Sequence, residues 1–136
     1  MVTFRLDELD FADAWVDGDD AARWRSASAH GPACGAQSSG SSIIELEAGR
    51  KLPAHTDSAE ETIVVLAGSA DVQIDAETAR VTSGGLVLVP TDHVHEVRNA
   101  GPGILRFAAV YADTDVVTTY REPVQPDGAR ERRPLN

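Results

Sequence analysis

The stretch Gly49-Arg-Lys-Leu-Pro-Ala-His55-Thr-Asp57-Ser-Ala-Glu-Glu61-Thr-Ile-Val-Val-Leu-Ala-Gly68 decides the reading of this chain. It places His55, Asp57 and Glu61 within seven positions, and a β-branched run follows at once. In an extended strand, side chains two apart share a face. His55 and Asp57 therefore point the same way, and Glu61, after a turn-like Ser58-Ala-Glu, opens the next strand where it can fold back beside them. A second stretch, Gly84 to Asn99, carries His93 and His95, so three of the four histidines of the chain lie in these two stretches.

Outward from there, the strand signals repeat. Ile43-Ile-Glu-Leu, Thr62-Ile-Val-Val-Leu, Ala70-Asp-Val-Gln-Ile, Leu86-Val-Leu-Val, His95-Glu-Val-Arg, Ile104 to Tyr111 and Val116 to Tyr120 are short apolar or alternating runs. They are separated by Gly49, Gly68, Ser83-Gly-Gly and Ala100-Gly-Pro-Gly. Many short strands with Gly/Pro turns and no helical period predict an all-β sandwich or barrel. Residues 1–42 read as an N-terminal arm with edge strands packing on the barrel, 43–121 as the barrel, and 122–136 as an irregular C-terminal tail whose arginines are solvated. Asp17-Gly-Asp-Asp reads as a turn, Arg23 to Ala29 as an edge strand, and Trp15 and Trp24 as packing anchors.

Composition narrows the function. The 136 residues suffice for one domain with its own core. The formal net charge is −10, which repels phosphate backbones and anionic lipid and argues against nucleic-acid and membrane partners. The N-terminus lacks a secretory h-region, so a cytoplasmic location is the expectation. The single cysteine, Cys34, precludes an internal disulfide, and neither stretch holds a thiolate ligand.

Two imidazoles and two carboxylates converging in a barrel mouth suit a divalent transition metal: Fe(II), Mn(II), Ni(II), Co(II) or Zn(II). Taken singly, each residue has a plainer reading: a hydrogen-bonded loop histidine, a turn-capping Asp57, a solvent-facing Glu61, an edge His95. Together, at these spacings, they point to a site, with His93 as an entrance residue.

These stretches resemble the two motifs of the cupin superfamily. Gly49, His55, Glu61 and Gly68 match the first, with Asp57 where the family usually has a second histidine; Gly84, Pro90, His95 and Asn99 match the second, with Asp92 replacing an inner glycine. The resemblance implies a double-stranded β-helix, or jelly-roll, barrel and a metal held by His55, Glu61 and His95, with Asp57 in the substituted slot. Three outcomes stay open. If Asp57 binds, the site is hard and anionic and favours Fe(II) or Mn(II) over Ni, Co or Zn. If Asp57 turns away, a 2-His-1-carboxylate set remains. If the substitution abolishes the site, the barrel binds a ligand without metal.

The function expected is a metal-dependent enzyme of dioxygenase or oxidoreductase type acting on a small chelating substrate. The alternatives are a metal-dependent isomerase, with Glu61 or Asp57 as base, and a non-catalytic small-molecule binder. Ile63, Val65, Val97, Phe107 and Tyr111, with His93, are the expected substrate-pocket residues, while Arg98 and Arg106 leave an anionic substrate open. The resemblance also implies a homodimer, for which Phe4, Leu6, Phe11 and Trp15 of the arm are suited.

Overall fold

The computed structural model describes residues 1–136. Twelve strands form it: β1 (Ala12–Val16), β2 (Asp19–Ser28), β3 (Gly40–Leu46), β4 (Lys51–Asp57), β5 (Glu61–Ala67), β6 (Ser69–Ile74), β7 (Glu77–Thr82), β8 (Leu86–Val89), β9 (His95–Asn99), β10 (Leu105–Tyr111), β11 (Thr118–Val124) and β12 (Ala129–Arg132). The only helices are single 3-10 turns at Leu6–Glu8 and Pro32–Cys34. The expected all-β jelly-roll barrel is what the strands build, and no helix is long and apolar enough to cross a membrane.

One sheet curls almost shut in the order β7-β6-β9-β4-β2-β3-β10-β5-β8, with β1 added on β2 and the β11–β12 pair added on β4. All pairings are antiparallel except the single parallel bridge Ala22↔Lys51 between β2 and β4. The period-2 rule fixes the interior. Leu105, Phe107, Ala109 and Tyr111 of β10, Ile63 and Val65 of β5, and Val72 and Val97 of the β6–β9 pair are all buried in one apolar cluster.

Two departures from the sequence reading concern the chain's ends. Arg23 to Ala29 is not an edge strand: β2 takes partners in β1, β3 and β4. The tail is not irregular either. β12 pairs with β11 around Gln125-Pro-Asp-Gly, Arg132 donates to the Val124 carbonyl and to Asp127, and Leu135 is 5% exposed within the core. The Pro-Asp-Gly turn makes the hairpin: Asp127 accepts from the Ala129 N–H and Gly128 takes φ +76°, so the tail's polar composition does not prevent pairing.

Glycine is required where β5 meets β6. Gly68 has φ +84°, and a Cβ there would sit 2.9 Å from the Ile104 carbonyl oxygen. Asp92, in the slot of the motif's inner glycine, adopts φ 62°, which a short polar side chain tolerates, and its N–H donates to the Asp57 carbonyl at 2.9 Å. That bond ties the β8–β9 loop to the end of β4.

Candidate metal centre

His55 reaches the interior through a break in alternation. Leu52 pairs with Val97 and His55 with His95, so β4 spends three residues where β9 spends two. The extra residue lies at Pro53-Ala54, where proline cannot supply a ladder N–H and a bulge re-aims the following side chain. The bulge turns both Leu52 and His55 inward, and both are buried. Regular alternation then carries Asp57 to the same face, Glu61 heads β5, and His95 heads β9.

The four side chains are 2–4% exposed and meet at one place. His95 Nε2 lies 2.9 Å from Glu61 Oε1 and 3.3 Å from Asp57 Oδ2; His55 Nε2 lies 3.7 Å from the same Asp57 oxygen. The two imidazole centroids are 4.1 Å apart. His55, Asp57 and His95 each present a ligand atom within 4.8 Å of the other two, while Glu61 borders that set through His95. Ligands about 2.1 Å from one ion at right angles stand about 3 Å apart; the 2.9 and 3.3 Å pairs match that spacing and the 3.7 Å pair is wider. The Asp57 carboxylate faces both imidazoles.

Both imidazoles have a fixed proton. His55 Nδ1 donates to the Pro53 carbonyl at 2.7 Å and His95 Nδ1 to the His93 carbonyl at 2.9 Å. A carbonyl only accepts, so each Nδ1 carries a proton and each Nε2 faces inward, where its lone pair is open to a metal or to a second proton. Yet Asp57 Oδ2, Glu61 Oε1 and His95 Nε2 are buried and make no hydrogen bond. Three lone-pair-bearing atoms packed together without donors repel unless a cation sits among them. A buried His-Asp-His group of this kind can bind a metal, and the donor set fits a divalent transition ion.

Without a metal, a proton plays that part. Burial opposes charging His95, but the facing carboxylates of Asp57 and Glu61 outweigh it and lift its pKa to about 10. Burial, and then the neighbouring His95, press His55 down to about 4. Burial would raise Asp57, but His95, His55 and Thr118 together bring it below the usual carboxylate value. Burial dominates at Glu61 and raises it.

The surroundings sort the other expected residues. A cavity of about 50 Å³ adjoins the site, bordered by His55, Glu61, Tyr111, Thr118, Tyr120 and Trp24 among others. Tyr111 is in its wall as expected. Ile63, Val65, Val97 and Phe107 are not: they lie fully buried in the apolar cluster, because parity sets which face a side chain takes but not its depth along the barrel. The His93 side chain is exposed and paired with Asp75 at 2.6 Å, so only its carbonyl serves the site. Arg98 and Arg106 pair with Glu96 and Glu45, and neither borders the cavity. Two contributors were missed. Thr118 Oγ1 donates to Asp57 Oδ1 at 2.5 Å, and Tyr120 packs between the His55 ring (5.1 Å) and the Trp24 ring (5.4 Å). Their i, i+2 spacing in the Val116 to Tyr120 run was the available signal.

A model described as the cupin domain matches residues 42–111. The chain is a cupin. Sequence comparison with curated proteins finds no match. Among solved structures, this cupin is similar to the Lactobacillus farciminis oxalate decarboxylase in its formate complex (20% identity, TM-score 0.68, covering 82% of this chain and 33% of that one). It is also similar to the Schizosaccharomyces pombe Cnp3 cupin domain (19%, 0.67, 82% and 74%). A third is the polyketide cyclase RemF from Streptomyces resistomycificus (19%, 0.66, 82% and 78%). The chain spans 26–33% of the length of the oxalate decarboxylases it matches. At these identities the likeness speaks for the fold.

Proposed function

We propose that this cupin is a divalent-metal-dependent enzyme acting on a very small substrate with adjacent oxygen donors, of dioxygenase or oxidoreductase type. The observation that carries the reading is the trio of buried, unbonded atoms Asp57 Oδ2, Glu61 Oε1 and His95 Nε2. His55, Asp57 and His95 would hold the ion, with Glu61 at its edge. Two carboxylates make the site hard and anionic, so Fe(II) or Mn(II) is favoured over Ni, Co or Zn. When bound, such an ion supplies a Lewis acid with open positions for a chelating substrate and, if redox-active, for dioxygen.

The chain's own residues do the rest. The Pro53 and His93 carbonyls hold each Nε2 toward the centre. Thr118 fixes the orientation of Asp57. Tyr120, Tyr111 and Trp24 wall the cavity with aromatic surface. About 50 Å³ takes a few waters or a molecule of only a few heavy atoms. No Lys or Arg borders the cavity, so charge recognition there falls to the metal.

One observation favours a second reading on the same site. Glu61 stands outside the mutual His-Asp-His set and its pKa is raised. Such a carboxyl can pass a proton at Oε1, as an isomerase needs. The exposed Phe4 and Leu6 support the homodimer expectation, whereas Arg25 covers Phe11 and Arg23 covers Trp15.

The experiment is anaerobic loading with Fe(II) or Mn(II), then oxygen uptake and product analysis against two- to four-carbon hydroxy and oxo acids. Metal-dependent oxygen uptake supports the first reading. Substrate isomerisation without oxygen uptake, lost in Glu61→Gln, supports the second. Ligand-induced thermal stabilisation with no conversion would leave a binding protein.

A further inference from the structure

We propose that Arg133–Asn136 form a strap that closes the cavity beside the candidate metal centre and sets the size of molecule admitted, with Leu135 as its anchor and Pro134 as its wall. The proposal rests on the site reading above for its meaning, but its geometry stands by itself.

Pro134 borders the same cavity as His55, Glu61, Tyr111, Thr118 and Tyr120. Leu135 is buried in the apolar cluster, although Arg133 and Asn136 on either side are exposed. The notch that receives it is made by two buried glycines. A Cβ on Gly40 would run into both methyl groups of Leu135, and one on Gly31 would lie 3.5 Å from the leucine Cβ. Any side chain at Gly40 therefore competes with the leucine for its seat.

The strap is held loosely elsewhere. β12 ends at Arg132, and beyond it the only backbone hydrogen bond is local, from the Asn136 N–H to the Arg133 carbonyl. One surface ion pair, Arg133 with Asp115, supplements the leucine. Lifting residues 133–136 thus withdraws the Leu135 side chain from the apolar cluster and Pro134 from the cavity wall and breaks one exposed ion pair, while every strand pairing of the sheet stays intact. With the strap down, only a molecule of a few heavy atoms fits; anything larger enters when it lifts.

The test uses the metal-stripped chain carrying Trp15→Phe, so that Trp24 is its sole tryptophan. Trp24 is 4% exposed and borders the cavity. The probe is acrylamide, a small neutral quencher. Leu135→Ala should raise the quenching constant of Trp24 several-fold, Leu135→Met should leave it near the parent, and Gly40→Ala, which evicts the leucine from the opposite side, should reproduce the rise. A folded Leu135→Ala or Gly40→Ala with parental quenching overturns the proposal, and Gly40→Ala decides alone if Leu135→Ala does not fold. Because no metal is present, a failed metal reading leaves this result untouched.

Discussion

Thr118→Val removes one hydroxyl and nothing else of consequence, since valine keeps the shape of threonine. In the parent, that hydroxyl donates at 2.5 Å to Asp57 Oδ1, and the other oxygen of Asp57 has no hydrogen bond at all. The variant leaves a carboxylate that is 2% exposed with no hydroxyl donor. A hydrogen bond to a charged group contributes about 1.5–3 kcal/mol. The metal-free protein should lose about that much, or about 5–10 °C in Tm for a domain of this size. Asp57 also loses the contact that orients it toward the two Nε2 atoms, and removing such a partner typically weakens metal binding about 10–100-fold. Differential scanning calorimetry of the metal-free protein and competitive titration with Mn(II) read the two effects. Thr118→Ser, which keeps the donor, should restore most of both. Parental Tm and parental Mn(II) affinity in a folded Thr118→Val protein would refute the argument that this bond organises the site.

Gly68→Ala places a side chain at φ +84° and against the Ile104 carbonyl. The left-handed backbone alone costs about 1–2 kcal/mol, so thermal unfolding should shift down by several degrees; an unchanged Tm would contradict the assigned turn. His93→Ala should leave Mn(II) affinity and Tm near the parent, since the site uses only the His93 carbonyl; a tenfold weaker affinity would mean that the side chain takes part. The metal-free protein should be most stable near pH 6.5. Above it, the unfolded chain loses the proton that folded His95 keeps up to about 10, so that contribution is full below pH 6.5 and fades as pH rises. Below pH 6.5, the unfolded chain protonates a histidine that folded His55 resists down to about 4, so stability falls again. Tm measured from pH 4 to 10 without metal should be bell-shaped, and bound metal, by replacing the His95 proton, should flatten the alkaline side; a metal-free Tm that is flat across this range would contradict the assignment.

The barrel and most of its donors were legible because they depend on local pattern. The strand His95–Asn99 and the run opening at Glu61 follow from alternation and β-branching, parity put His55 and Asp57 on one shared face, and the motif resemblance joined Glu61 and His95 to them. What escaped depends on contacts distant in sequence or on broken alternation. The Pro53-Ala54 bulge lets Leu52 and His55 share a face, which strict alternation forbids. Thr118 meets Asp57 only because β11 pairs with β4 across some sixty residues. Ile63, Val65 and Val97 point inward as expected, and Phe107 does so too, but all four sit in the packed cluster and do not line the cavity. The tail was read from its composition, although its Pro-Asp-Gly turn was already a hairpin signal.

The central claim is that a divalent metal belongs among His55, Asp57, Glu61 and His95. The most direct test is elemental analysis of protein purified without added metal or chelator, beside His95→Ala treated identically. The account predicts near-stoichiometric Fe, Mn or another first-row metal in the parent and its loss in the variant. A parent that holds no metal, and takes up none on anaerobic reconstitution with Fe(II) or Mn(II), would contradict it.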